Sequence, residues 1–279
     1  MYQYSMTQWI VGNEEMEYSF RRLKKYGYDG IEFAAEPYSL DVSLLQELMK
    51  KYGIFCTSLC GIFPEERDLT SDDQRIAETA IQYLKDSVDL AAAVGAPYMI
   101  VVPSPVGRTK PLESCPYEKA WKNAVKNIRT AADYAQEKGI RFAVEAINRY
   151  ETYLVNNLTS AFTFVKDVNH PAVGLMADLF HMSLEERSIP DSLRMISDYL
   201  MHVHIADNTR EAAGLGSTDF KAALRTLKGI GYQGPLTMEF LPRIADPYAA
   251  SDMGTLSDMM DLYAAQAINY MKILENSVE

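Results

Sequence analysis

The sequence predicts an α/β fold, a single closed (β/α)8 barrel spanning residues 1–279 as one catalytic domain. Three observations lead there. Eight short apolar runs alternate with amphipathic segments from end to end, which is the signature of a parallel sheet wound with helices. Glycines close several of the helical segments at the same point, just before the next apolar run. Finally, no Pro/Gly/Ser-rich linker divides the 279 residues, which are 48% hydrophobic, and one barrel of roughly 250 residues accounts for such a length.

The expected strands are residues 3–9, 30–33, 55–60, 98–102, 141–145, 174–178, 202–206 and 236–240. Helix starts are read from residues able to accept a hydrogen bond from the first turn: Asn13 before Glu14 and Glu15, Asp41 before VSLLQELMKKYG, Ser71 before DDQRIAETA, and Thr159 before SAFTFVKDV. Helix stops are read from Gly27, Gly53, Gly95, Gly139 and the Gly229-Ile230-Gly231 turn, where a left-handed residue ends a helix without steric cost. YGYDGIEF and IGYQGPLTMEF share a faint similarity, as repeated βα units would.

Charge and composition narrow the function. The net charge of -11 repels polyanions, so nucleic acid and anionic membrane surfaces are not expected partners; a small neutral or chelated substrate is. The first residues, MYQYSMTQWIVGNEE, lack the basic start and apolar core of a secretory signal, and no run approaches the roughly 20 apolar residues of a membrane span. A cytoplasmic protein is expected. Cys56, Cys60 and Cys115 suggest neither a disulfide framework nor a zinc motif. Cys56 and Cys60 are expected on one face of their strand. The methionines near the end, Met253, Met259, Met260 and Met271, suit a helix packed on the barrel or on a neighbouring subunit.

In a barrel of this kind, chemistry belongs to the C-terminal ends of the strands. Four of those ends carry ligand-type residues: Glu145 in RFAVEAINRYE, Asp178 in VGLMADLFH, His204 in MHVHIADNTR and Glu239 in PLTMEF. A charged group at the tip of a buried strand is costly without a metal or a counter-charge. One such residue is most simply a salt-bridged strand end, but four together form a candidate metal site. Three oxygen donors and one nitrogen suit one divalent cation, Mn2+ first, with Mg2+ or Co2+ as alternatives. His202 and His204 share a face of their strand, so His202 falls one layer deeper, where it can orient a ligand carboxylate. Three more polar residues, Glu151, His181 and Arg210, follow three of these ends at short distances, on loops where substrate-binding residues concentrate.

The strings EAINRYE, DLFHM, HVHIADNTR and MEF resemble the ketose 3-epimerases of the xylose-isomerase-like superfamily of sugar isomerases. The resemblance covers essentially the whole chain. It implies that Glu145, Asp178, His204 and Glu239 are the metal ligands, that Glu145 and Glu239 double as acid/base groups on opposite faces of the sugar, and that Glu151, His181 and Arg210 hold oxygens near C1 to C3. A homodimer or homotetramer is expected with it. The chain departs from the family in having Ala206-Asp207-Asn208 after His204 where Gly-Glu-Asn is common. It also has Phe240-Leu241-Pro242 after Glu239, and SMTQW in the first strand. The metal centre is untouched by these changes; the substrate and the reaction are what they bear on.

The residues explain why such chemistry is feasible. A proton beside a ketone is too weakly acidic for a carboxylate in water, so a metal must stabilise the enediolate while one carboxylate removes the proton and another returns it on the opposite face. A sugar or hydroxypyruvate isomerase, or an inosose-type dehydratase, could use the same metal. A non-catalytic sugar-binding barrel is the alternative of another class. A multinuclear nuclease would need more histidines than His170, His181, His202 and His204, and His170, before Pro171, is expected at the opposite end of the barrel. Gly214-Leu215-Gly216, ahead of a helix expected from Ser217, could grip a phosphate. Lys221 falls inside that helix, which favours a free sugar. Trp9, Glu36 and Cys60 are candidates for reading the distal sugar carbons.

Overall fold

A computed structural model describes residues 1–243 and 257–278. Met253 lies outside the described residues. Eight parallel strands close into a barrel in sequence order: β1 (Tyr4–Thr7), β2 (Gly30–Ala34), β3 (Phe55–Cys60), β4 (Tyr98–Val101), β5 (Arg141–Val144), β6 (Val173–Asp178), β7 (Leu200–Ile205) and β8 (Leu236–Met238). The β1–β8 pairing, with Tyr4 opposite Leu236, closes the ring.

Around it run α1 (Met16–Tyr26), α2 (Val42–Tyr52), α3 (Gln74–Val94), α4 (Tyr117–Glu137), α5 (Leu158–Val168), the pair α6 (Leu179–Glu185) and α7 (Ile189–Met195), α8 (Phe220–Gly229) and α9 (Ser257–Asn276). Among the described residues, no helix is long and apolar enough to cross a membrane.

The strands are buried on both faces, so they read as nearly continuous apolar runs. Their outward side chains, including Ile31, Phe33, Leu59, Val203 and Ile205, join the helices in one large core. Inside the barrel, Cys60, Ile100, Ala143, Met176 and Met201 form a separate small layer.

Two bulges modify the alternation. In β3, Cys56 faces Ile31 but Ser58 faces Glu32, so Thr57 is an extra residue. In β7, Leu200 faces Leu175 but His202 faces Met176, so Met201 is extra. The first bulge corrects an expectation. Cys56 belongs to the outer core and Cys60 to the inner layer, on opposite faces, because the inserted Thr57 reverses the parity between them. Gly174 makes room for the second bulge: a Cβ there would collide with the Met201 methyl.

The helix stops agree with the expected glycines. Gly27, Gly53 and Gly95 cap α1, α2 and α3 in the left-handed region, at φ 78°, 65° and 75°. Among the starts, Asp41 caps α2 by accepting from Leu44 N. Three others move. α1 starts after Glu15, with no side-chain cap. Asp73 caps α3, while Ser71 Oγ accepts from Asp73 N one step earlier. Asn157 caps α5 in a reciprocal capping box with Ser160, displacing Thr159 into the first turn. α8 likewise starts at Phe220, capped by Asp219, rather than at Ser217.

Candidate metal and substrate site

All four quartet residues come together at the C-terminal mouth of the barrel. One ligand atom each from Glu145, Asp178, His204 and Glu239 lies within 4.8 Å of the other three, and all four residues are buried. Glu145 and Glu239 fall one residue beyond their strands, but their N–H groups continue the ladders, to Val101 O and Ile205 O, each at 3.0 Å. Asp178 ends β6 and also caps α6, accepting from Phe180 N at 2.7 Å. Each side chain is thus held at its root by regular structure, which makes the cluster preorganised.

The charges explain what such a cluster accepts. Burial pushes the Glu145 carboxyl well above the usual carboxylate range, and Glu239 beside it adds to the effect. The same two causes raise Asp178 to about 7. Burial would raise Glu239 too, but the adjacent His204 overrides it and holds this carboxyl at about 2. Three carboxylates this close repel one another, and a cation placed among them relieves the repulsion.

His204 supplies the clearest test of fit. Its Nε2 lies 3.0 Å from Glu32 Oε1. Its Nδ1 is buried and has no hydrogen-bond partner among the described residues. That atom lies 3.1 Å from Glu239 Oε2, outside hydrogen-bonding geometry, and 3.9 Å from Asp178 Oδ2. A buried, unpartnered imidazole nitrogen among three carboxylates is the donor set of a divalent cation.

Beside the quartet, Glu151, His181 and Arg210 form one chain of hydrogen bonds through a residue that the sequence reading did not single out, Asn148. Asn148 Nδ2 lies 2.8 Å from His181 Nδ1 and donates to Glu151 Oε1 at 2.9 Å. Arg210 donates to the same Glu151 oxygen at 2.8 Å and stacks over the Phe180 ring at 4.6 Å. The bonds from Asn148 make His181 Nδ1 the acceptor, so Nε2–H faces the quartet, 3.7 Å from Asp178 and 3.9 Å from Glu145. Burial and the positive charge of Arg210 lower the imidazole to about 3, so His181 is neutral and presents one donor. Arg210 occupies the left-handed region at φ 63°, a strained backbone that Asp207 O and Leu241 N pin by hydrogen bonds.

The pocket above the quartet holds about 380 Å³, at the small end of the ~300–1,000 Å³ of small-molecule sites. Glu145, His181, Arg210 and Glu239 line it together with Trp9, Cys60 and the apolar Ile62, Phe63, Val102 and Val106. Trp9 and Cys60 therefore sit where expected. Glu36 does not: it is turned to Arg67, with bonds of 3.0 and 3.1 Å. Trp9 also donates from Nε1 to Glu239 Oε1 at 2.9 Å.

The glycine-rich loop after β7 is occupied by its own side chains. Asp207 accepts from Gly214 N, Gly216 N and Thr218 N at 2.8 to 3.0 Å, and Asn208 Oδ1 accepts from Ser217 N. Those N–H groups are spent within the loop and are not a phosphate cradle. His170 sits ahead of β6 at the opposite end, 3.3 Å from Asp133.

A second residue that sequence reasoning missed is Glu32, fully buried inside the barrel. His202 indeed orients a carboxylate, but it is Glu32, at 3.0 Å, rather than a member of the quartet. A signal existed in the similarity of YGYDGIEF to IGYQGPLTMEF, since the Glu of each segment reaches one nitrogen of His204.

A sequence profile of the xylose isomerase-like TIM barrels matches residues 20–259. The chain belongs to that family. Among its relatives, this xylose isomerase-like barrel is 31% identical to an L-ribulose 3-epimerase of Methylomonas sp., over 88% of this chain and 87% of that one. It is 28% identical to a D-psicose 3-epimerase of Ruminiclostridium cellulolyticum, over 97% and 95% of the two chains. Its fold superposes on the crystal structure of a D-allulose 3-epimerase from Methylomonas sp. in complex with D-allulose, with a TM-score of 0.86 and 27% identity over 98% and 96% of the chains. The resemblance read from the four motifs is thereby shown, and this member of the family is an isomerase.

Proposed function

We propose that this chain inverts the C3 configuration of a free ketose through a C2–C3 enediolate. The observation that carries the reading is that Glu145 and Glu239, from strands on either side of the mouth, face one small pocket with a neutral His181 and Arg210 beside them. Glu145, Asp178, His204 and Glu239 would hold one divalent ion, for which Mn2+ is the best match to three oxygens and one nitrogen. When bound, the ion supplies positive charge where the sugar's C2 oxygen becomes negative. The protein's own part is proton transfer and positioning. One Glu removes the C3 proton and the other delivers a proton to the opposite face, so no net change in formula results. His181 Nε2–H and Arg210 hold sugar oxygens, and Glu151, fixed by Asn148, holds Arg210. The spent N–H groups of the loop after β7 support an unphosphorylated substrate.

Residues 1–279 acting as one catalytic domain, assembly as a homodimer or homotetramer, and a cytoplasmic location belong to the same proposal. The test is a panel of ketopentoses and ketohexoses incubated with Mn2+ in D2O. Deuterium at C3 with inverted configuration is expected. Deuterium confined to C1 or C2 would transfer the reading to an aldose–ketose isomerase, and loss of water to a dehydratase.

A further inference from the structure

Glu32 has no part in the chemistry proposed above, yet three donors converge on it inside the barrel. Ser58 Oγ donates to Oε2 at 2.6 Å, His202 Nε2 lies 3.0 Å from the same oxygen, and His204 Nε2 lies 3.0 and 3.2 Å from the two oxygens. Glu32, His202, His204 and Ser58 are each 0% exposed. An ionised carboxylate there costs several kcal/mol, roughly, unless donors surround it. The bulge at Thr57 brings this about, because without the inserted residue Ser58 would face the outer core.

An ionised carboxylate only accepts, so both imidazoles must present Nε2–H to it. A ligating imidazole is neutral and offers a deprotonated nitrogen; with Nε2–H given to Glu32, the neutral His204 ring has its lone pair on Nδ1, which has no partner among the described residues and lies 3.1 Å from Glu239 and 3.9 Å from Asp178. His202 Nδ1 has no partner among the described residues either. Through Nε2 that ring meets Glu32 at 3.0 Å and, more weakly, Ser58 Oγ at 3.5 Å.

We infer that Glu32 is a positioning residue: gripped by Ser58 and His202, it holds His204 in the tautomer and orientation that offers Nδ1 to a divalent ion. The inference rests on the metal reading above. A carboxylate behind a ligating histidine fixes the ring and raises its basicity, and removing such a partner typically weakens metal affinity about 10–100-fold.

The test is Glu32→Gln, which keeps the shape but turns an NH2 group toward one of two N–H donors. Mn2+ affinity of the stripped protein is measured from the EPR signal of free Mn2+, beside the melting temperature of the metal-free protein. A Kd about 10–100-fold weaker is expected in folded protein. Ser58→Ala, which deletes one donor and leaves the carboxylate, is expected to weaken Kd severalfold and carries the test if Glu32→Gln does not fold. In the Mg2+-loaded wild type, the 15N signals of His204 should report Nε2–H alone, and in the variants a mixture of tautomers. A lowered melting temperature with Mn2+ Kd and His204 tautomer unchanged would reduce Glu32 to a packing role and overturn the inference. Wild-type protein that takes up no Mn2+ overturns the metal reading first and this inference with it, a result told apart because it precedes any substitution.

Discussion

At the scale of single residues, Glu145 and Glu239 carry the heaviest demand, since each is asked to bind a cation and to move a proton. Glu145→Gln and Glu239→Gln keep shape and remove both abilities. Each is expected to lower kcat by at least about a hundredfold, the low end of what a positioned acid or base contributes, while far-UV circular dichroism stays native. Metal content must be measured on the same samples: turnover near wild type in either variant with metal in place would end the two-base scheme. The four ligand candidates were legible in the sequence because each breaks an apolar run at its end, where burial makes a charge conspicuous. Glu32 breaks such a run in the middle of GIEFA, and Asn148 has a side chain that carries no charge, so neither stood out. Their importance lies in partners 172 and 33 residues away, His204 and His181, which local patterning cannot see.

At the scale of elements, alternation and glycine stops revealed all eight strands, while the bulges at Thr57 and Met201 stayed hidden. A bulge is defined by the neighbouring strand, and nothing in FCTSLC alone says that one residue is extra. The loop after β7 is the element whose chemistry differs from expectation, because Asp207 binds the N–H groups that a phosphate would need. Gly216 permits this close wrap, since a Cβ there would collide with Asp207 Oδ1 and Asn208 Oδ1. Burial alone would raise the Asp207 carboxyl, but the backbone N–H groups of Thr218, Gly216 and Asn208 override it and hold it below its ordinary value of 3.8. A folded-state value below the unfolded one stabilises the protein above the unfolded value, and that stability is lost as pH falls through the folded one. Asp207→Asn sets an NH2 group against backbone N–H donors, so it should cost about 1–3 kcal/mol at neutral pH. The gap from wild type, read by urea denaturation, should narrow below the ordinary carboxylate value. Because Arg210 N bonds to Asp207 O, KM should rise as well. A gap that stays constant with pH would mean that Asp207 is not the charged centre of this loop.

At the scale of the whole molecule, the barrel brings four strands' worth of ligand atoms within 4.8 Å of one another, and folding without a cation leaves their mutual repulsion in place. An ion that binds only the folded state therefore adds stability through mass action, about 2.7 kcal/mol at a hundredfold excess over Kd. For a chain of this length that is a rise of roughly 5 °C in melting temperature. Chelation with EDTA should remove this increment and abolish turnover together, and Mn2+ should restore both, with one ion per chain by metal analysis. The two readouts separate the rival classes. Chelating a catalytic ion removes both; chelating a purely structural ion changes the melting curve and leaves turnover in place. Turnover that survives exhaustive chelation would leave the fold standing but would require a different account of why three carboxylates and a bare imidazole nitrogen share one buried mouth.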